Sequence, residues 1–222
     1  MMRFLVASNN AHKLRELREI FAAIGSRVEL VAPRELGIDL EPDESAGTYA
    51  DNARLKARAF AQALLARPDA GPLFVIADDS GLEVDALGGA PGIYSSRYHR
   101  RAPGGDGCTA LLKEMEGVPD ARRTARFQCA IVLISPYGDA PNREALDAYE
   151  HVFYGTCEGT ITHELRGTGG FGFDPVFQLA GDTRTLAELP AQEKHRVSHR
   201  GVAARKAMAF VERTAMEPGA ER

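Results

Sequence analysis

Leu73-Phe74-Val75-Ile76-Ala77 is an unbroken apolar run, and it leads straight into Asp78-Asp79-Ser80-Gly81. A continuous apolar stretch of this length reads as an interior strand buried on both faces. Beyond the glycine, Leu82, Val84 and Ala86 alternate with Glu83 and Asp85, the period of a second, half-buried strand over Gly81 to Leu87. On this reading Asp78 to Gly81 is a polar loop joining two strands, and Gly88 to Gly92 is a turn.

The elements upstream alternate between strand and helix. Arg3 to Ala7 is a short apolar strand. Asn10 to Ile24 has Leu14, Leu17, Ile20, Phe21 and Ile24 three and four apart, one face of a helix that Ser8, Asn9 or Asn10 can cap. Val28 to Leu30 is a further strand, and Pro33 to Gly47 is a loop with acids at Asp39, Glu41, Asp43 and Glu44. Thr48 opens a long helix that stops near Pro68, with Ala53, Ala57, Phe60, Ala61, Leu64 and Leu65 as its buried stripe.

Downstream, Asp106 to Met115 is a short helix. Thr124 to Ile134 and Tyr149 to Ile161 are long strands, and the turn formers of Ser135 to Asn142 predict an antiparallel hairpin. Gly167 to Gly172 is a glycine-rich loop, and Val202 to Thr214 is the last helix. The pattern of alternating strand and helix followed by an extended hairpin predicts an α/β protein with a mixed central sheet shared by two lobes and a cleft between them. One two-lobed domain over residues 1–216 and a loose tail over 217–222 are expected.

At 222 residues the chain suits such a domain, and 44% hydrophobic with 26% charged residues argues against wholesale disorder. No apolar run approaches the roughly 18–20 residues of a membrane span. Polar Ser8-Asn9-Asn10 cuts short the apolar N-terminus, which is therefore no signal peptide, so a cytoplasmic protein is expected. The net charge of −4 speaks against binding nucleic acid through the overall field, and any polyanion must be held locally or through a metal. Cys108, Cys129 and Cys157 have neither zinc nor redox spacing, which fits a reducing compartment; Cys129 and Cys157 read as small buried residues.

Four segments carry possible chemistry. Ser8 to Lys13 (Ser8, Asn9, Asn10, Ala11, His12, Lys13) joins a strand to a helix start, where backbone N–H groups and a lysine suit phosphate oxygens, though a plain helix cap explains it as well. Asp78-Asp79 pairs carboxylates at a buried strand end, a donor set that suits Mg²⁺, and Asp43-Glu44 can add a ligand. Gly167 to Pro175 contains G-x-G-x-x-G, but a strand-like segment follows where a dinucleotide site needs a helix. A backbone clamp presenting Phe171 and Phe173 fits better, alongside the plain reading that both rings belong to the core. Lys194 to Gly201 collects five Lys, Arg or His residues, a cluster for an anion or a carbonyl-bearing ligand. His151 and His163 read as structural. Arg15-Glu16-Leu17-Arg18-Glu19 has the look of a Nudix helix without its glycine-led half, and its glutamates read as solvated.

Together the segments resemble the inosine triphosphate pyrophosphatase family, which acts on dITP and XTP. The resemblance rests on Ser8-Asn9-Asn10 with Lys13 and Glu16, and on Asn52-Ala53 with Lys56-Ala57. It continues through Ala77-Asp78-Asp79-Ser80-Gly81-Leu82 to Gly88 and Ser95, then Gly169 to Pro175, and Ser198-His199-Arg200. It implies a long central sheet in two α/β lobes, and a homodimer that cleaves a nucleoside triphosphate to monophosphate and pyrophosphate with Mg²⁺. Asp79 then matches the catalytic acid/base and metal ligand, and Glu44 a second metal carboxylate. Ser8, Asn9, Asn10, Ala11, His12 and Lys13 match the phosphate segment. Ser80, Phe171, Gly172, Phe173, Asp174, Lys194, His199 and Arg200 match substrate contacts.

On this scheme Asp78 holds a water of the metal, and Lys194, His199 and Arg200 present donors to a C6 carbonyl, favouring hypoxanthine and xanthine over adenine. A Maf-like pyrophosphatase for other bases, a non-catalytic nucleotide sensor and a dinucleotide oxidoreductase are the competing readings.

Overall fold

The computed structural model describes residues 2–25, 28–101, 106–135 and 150–216. In chain order the elements are β1 (Met2–Val6), α1 (Ala11–Ile24), β2 (Val28–Val31), α2 (Tyr49–Leu65), β3 (Phe74–Val84), α3 (Gly107–Glu114), β4 (Thr124–Ile134), β5 (Glu150–Ile161), β6 (Phe177–Leu179), α4 (Ala191–Val197) and α5 (His199–Met216). The strands form a mixed six-stranded sheet in the order β2-β1-β3-β4-β5-β6. β1 runs parallel to β2 and β3, whereas β3 to β6 are mutually antiparallel. The expected α/β class and the β4–β5 pairing are both present. The predicted hairpin turn beyond Ser135 and the tail from Glu217 lie outside the described residues.

Local chemistry sets the element ends. The Asn10 side chain accepts from the His12 and Lys13 amides and caps α1, and Thr48 does the same for α2 through the Asp51 amide. Leu65 is an exception to the α2 stripe: it is 44% exposed, because the helix runs past the edge of its core.

β3 corrects the reading of Asp78 to Gly81 as a loop. Every residue from Val75 to Val84 pairs with β4, so one uninterrupted strand carries the polar segment through its middle. Gly81 sits inside this strand because a Cβ there would lie 2.2 Å from the Gly92 carbonyl oxygen.

The long strands tie three apolar clusters together. Ile76 faces α1 and α5 with Leu17 and Met208, while Val75 and Ala77 face α2 with Ala57 and Phe60. Further along, Leu82 and Val84 join a third cluster with Leu111 and Phe177. Asp78, Asp79 and Ser80 occupy the stretch of β3 between these cores.

Candidate active site

β1 ends at Val6, paired with Ile76, and the Ala7 amide takes the Ile76 carbonyl, so among the described residues no strand pairs with β3 on that side over Ala77 to Ser80, before Glu83 bridges Pro91. Two lysines fill the gap. Lys13, in the first turn of α1, and Lys56, on α2, both donate to the Asp78 backbone carbonyl, at 3.3 and 3.0 Å. A strand end beside a helix start is where open α/β sheets place ligands.

Successive strand residues point to opposite faces of a sheet. Asp79 turns toward α2, where Lys56 Nζ donates to its Oδ1 at 2.9 Å and Asn52 Nδ2 to its Oδ2 at 3.3 Å. The same Lys56 Nζ lies 3.0 Å from Glu44 Oε1, so one ammonium holds both carboxylates of the expected metal pair. Asn52 also accepts the Ala46 amide at 2.9 Å and ties the acidic loop to α2. Burial pushes the Glu44 carboxyl up, but the charge and hydrogen bond of Lys56, with the charges of Lys13 and Arg97, together outweigh it and hold Glu44 below its ordinary value. Burial likewise lowers Lys56, and Asp79, Asp78 and Glu44 together raise it above the usual lysine range.

Asp78 turns the other way, so it does not stand beside Glu44 as a holder of metal water. Its Oδ2 accepts from Arg200 Nε at 3.0 Å and Nη2 at 2.8 Å, and lies 3.2 Å from Lys13 Nζ. Arg200 Nη1 donates to Glu16, whose other oxygen accepts from Lys194 Nζ at 2.7 Å. Lys194 in turn reaches Asp174 Oδ2 at 2.8 Å, which also accepts the Phe171 amide at 2.7 Å. Three carboxylates thus face three cations in one buried chain. Burial raises Glu16, but Arg200 and Lys194 outweigh it and pull the carboxyl down to about 2. Glu16 is therefore buried and paired rather than solvated; the solvated reading holds for Glu19, which is exposed and meets His195 at 3.0 Å.

His199 and Arg200 stand in the first turn of α5, which begins three residues earlier than its periodicity suggests. Ser198 Oγ accepts the Gly201 amide and caps it. Gly155 on β5 allows this approach, since a Cβ there would lie 2.0 Å from the His199 carbonyl oxygen. The His199 ring stacks on Phe127 at 4.6 Å, and burial followed by the Arg200 charge pushes its pKa down to about 3, so it is neutral.

The glycine loop is a clamp on Asp174. Gly170 has φ +70°, and the Asp174 carboxylate occupies the space its Cβ would fill. Burial keeps Asp174 above the usual carboxylate value against the pull of Lys194. Phe173 is in the core, edge-on to Tyr98, and Phe171 is half-buried with Lys194 and Arg200 at 5.4 and 5.5 Å from its ring.

One cleft of about 490 Å³ unites these groups. Ser8, Asn10, Lys13, Glu44, Asp79 and Ser80 line one part, and Phe171 to Asp174 with Lys194, His199 and Arg200 line the other. That volume is typical of a small-ligand site. Asn9 donates to the Leu40 carbonyl and borders a neighbouring cavity. Ala11 and His12 line neither; His12 stacks on Phe171 at 5.6 Å. The amides of Asn10, His12 and Lys13 are already engaged by Ser8 and Asn10 side chains, whereas the Lys13 side chain lines the cleft.

Sequence reading gave Glu16, Asn52 and Lys56 no role beyond their place in a resemblance, and passed over Arg97. Asn52 and Lys56 lie four apart beside the apolar stripe of α2, and Glu16 is three residues after Lys13, so helical phase was the available signal.

The model of the Ham1 family matches residues 4–210. The chain is 42% identical to the dITP/XTP pyrophosphatase of Desulforamulus reducens over 213 residues, 96% of each chain. It is also 42% identical to that of Yersinia pestis over 204 residues, 91% of this chain and 94% of the relative. A solved structure of a HAM1 protein from Coxiella burnetii superposes with a TM-score of 0.75 at 33% identity, covering 96% of this chain and 100% of that one.

Proposed function

The chain belongs to the Ham1 family, and from that premise we propose that it hydrolyses the non-standard purine nucleoside triphosphates ITP, dITP and XTP to the monophosphate and pyrophosphate. The observation that carries the proposal is the shared cleft: Asp79, Lys13 and Phe171 line one hollow although 13, 79 and 171 are far apart in the chain.

With the base at Phe171, the α-phosphorus comes to Asp79. The Asp79 carboxylate, fixed by Lys56 and Asn52, takes the proton of the attacking water as the pyrophosphate bond breaks. Lys13 stabilises charge on the phosphate oxygens.

The residues fit magnesium. Glu44 and Asp79 carry two charges against one on Lys56, and each keeps lone pairs free, the one or two carboxylates that Mg²⁺ commonly takes beside phosphates and water. Among the described residues no cluster of three or more His, Cys, Asp or Glu forms a self-sufficient metal cage, in keeping with a shell completed by the substrate. When bound there, magnesium supplies neutralisation of the triphosphate charge.

Base choice follows from counted donors. Arg200 engages four of its five N–H groups and Lys194 two of its three, leaving one on each of these cleft-lining residues. Two donors match the O6 and N7 acceptors of hypoxanthine or xanthine, and the amino group of adenine leaves one of them unpaired. Neutral His199 adds a single N–H.

We further propose a homodimer and a cytoplasmic location. The three cysteines are buried and unpaired, in keeping with a reducing compartment, and among the described residues no helix is long and apolar enough to cross a membrane.

The test is product analysis on ITP, dITP, XTP, GTP, ATP and modified pyrimidine triphosphates, with Mg²⁺ and with chelator. Pyrophosphate and monophosphate appear from ITP and XTP with Mg²⁺, and ATP is slower by about 10- to 100-fold. Binding without turnover identifies a sensor. Orthophosphate as the product, or a pyrimidine preference, sinks the proposal.

A further inference from the structure

A second cavity of about 560 Å³ opens from the cleft, sharing Ser8, Asn10 and Glu44 with it. Lys56 and Arg97 line it, whereas Phe171 and Asp174 do not. The groups therefore fall in an order along the hollow: aromatic end, Asp79, Glu44, Arg97. A chain of phosphates that starts beside Asp79 and passes Glu44 ends in this second cavity.

The cations along the two cavities differ in one respect. Lys13, Lys56, Lys194 and Arg200 each have a carboxylate partner. Among the described residues, Arg97 forms no direct ion pair, and its charge reaches the Glu44 carboxylate only from farther off. Its Nη2 donates to the Glu44 backbone carbonyl at a long 3.3 Å, its guanidinium lies 5.5 Å from the Tyr94 ring, and its Nε is buried with no acceptor. A planar fork of unmatched donors is the group that binds phosphate bidentately.

The platform beneath it is fixed. Arg97 stands on the helical turn Gly92–Arg101, which Ser95 Oγ fastens to β3 by accepting the Leu82 amide at 2.8 Å and donating to the Gly92 carbonyl at 2.7 Å. Glu41 and Asp43 also border the cavity, so a bare anion is repelled and the phosphates enter as a metal chelate.

We propose that Arg97 receives the terminal phosphates of the substrate and holds pyrophosphate as the leaving group. This rests on the reading of the cleft as a triphosphate site. It is tested by competition: magnesium pyrophosphate and IMP are each measured as inhibitors of ITP hydrolysis in the wild type, Arg97→Ala and Arg97→Lys. Arg97→Ala weakens pyrophosphate inhibition by about 10- to 100-fold, the range expected for lost charge-assisted hydrogen bonds, and leaves IMP within about twofold. Arg97→Lys, which keeps the charge without the fork, falls between and serves alone if the alanine variant does not fold. Equal weakening of both inhibitors, no change in either, or a wild type indifferent to millimolar pyrophosphate overturns the assignment of Arg97. A wild type that releases no pyrophosphate from any triphosphate overturns the function itself, and Arg97 with it.

Discussion

Asp78 and Asp79 are adjacent on β3, yet their carboxylates lie on opposite faces of the sheet, one against Arg200 and Lys13, the other against Asn52 and Lys56. Two neighbouring acids therefore do different work. Asp79→Asn keeps the shape and one of the two accepted hydrogen bonds but loses the proton acceptor, so turnover falls by about 10²–10⁴ while the fold loses less than in Asp78→Asn, because Lys56 retains Glu44 as a partner. Asp78→Asn removes the charge partner of two buried cations and destabilises the fold by about 3–5 kcal/mol. Pyrophosphate release and urea unfolding on the two variants check this, and the reverse pattern refutes the assignment.

Glu16 links Arg200 to Lys194 from a buried position, whereas Glu19, one turn on, makes an exposed contact with His195. Unfolding measurements on Glu16→Gln should show a loss of about 3–5 kcal/mol, since two cations lose their common counter-charge. Glu19→Gln is expected to cost no more than about 1 kcal/mol. Equal effects at the two positions would contradict the buried network.

Arg200 lines the cleft with four of its five N–H groups engaged, which leaves one for a ligand. Arg200→Lys preserves the positive charge facing Asp78 and Glu16 but removes the fork. The ratio of kcat/KM for ITP over ATP should narrow by about tenfold, the value of one mismatched donor. An unchanged ratio takes Arg200 out of base recognition.

His199 carries a pH prediction. Burial and then the Arg200 charge hold its pKa at about 3 in the folded protein, against 6.5 for an unperturbed histidine. Below about pH 6.5 the unfolded chain gains a proton that the folded chain does not take, so stability present above that pH is lost as the pH falls. The loss attributable to this group is about 1.4 kcal/mol per pH unit between pH 6 and 4. His199→Gln lacks it, and subtracting its urea-unfolding pH profile from that of wild type cancels the carboxylates common to both. Parallel profiles would show that His199 is not held neutral.

Much of the local structure was legible because its causes are local. The phase of Leu14, Leu17, Ile20 and Phe21 after the capping candidates Ser8, Asn9 and Asn10 specified α1, and the runs Thr124 to Ile134 and Tyr149 to Ile161 specified two antiparallel strands. The polar and glycine-rich segments announced the parts of a site, because such residues are costly inside a core unless something there uses them.

What each part does was decided by tertiary contact. Parity along a strand sends neighbours to opposite faces, but nothing in Asp78-Asp79-Ser80-Gly81 says that the strand is unbroken; the pairing of β3 with β4 does. Glu16 reads as a surface residue until Lys194 and Arg200, 178 and 184 residues away, close over it. Amino-acid order by itself indicated which kinds of chemistry the chain carries and most of its helices and strands, though neither the continuity of β3 nor helix α4. Only folding settled which charges neutralise one another and which donors stay free, because ion pairing in a buried site acts through distances of about 3 Å that chain separation does not encode.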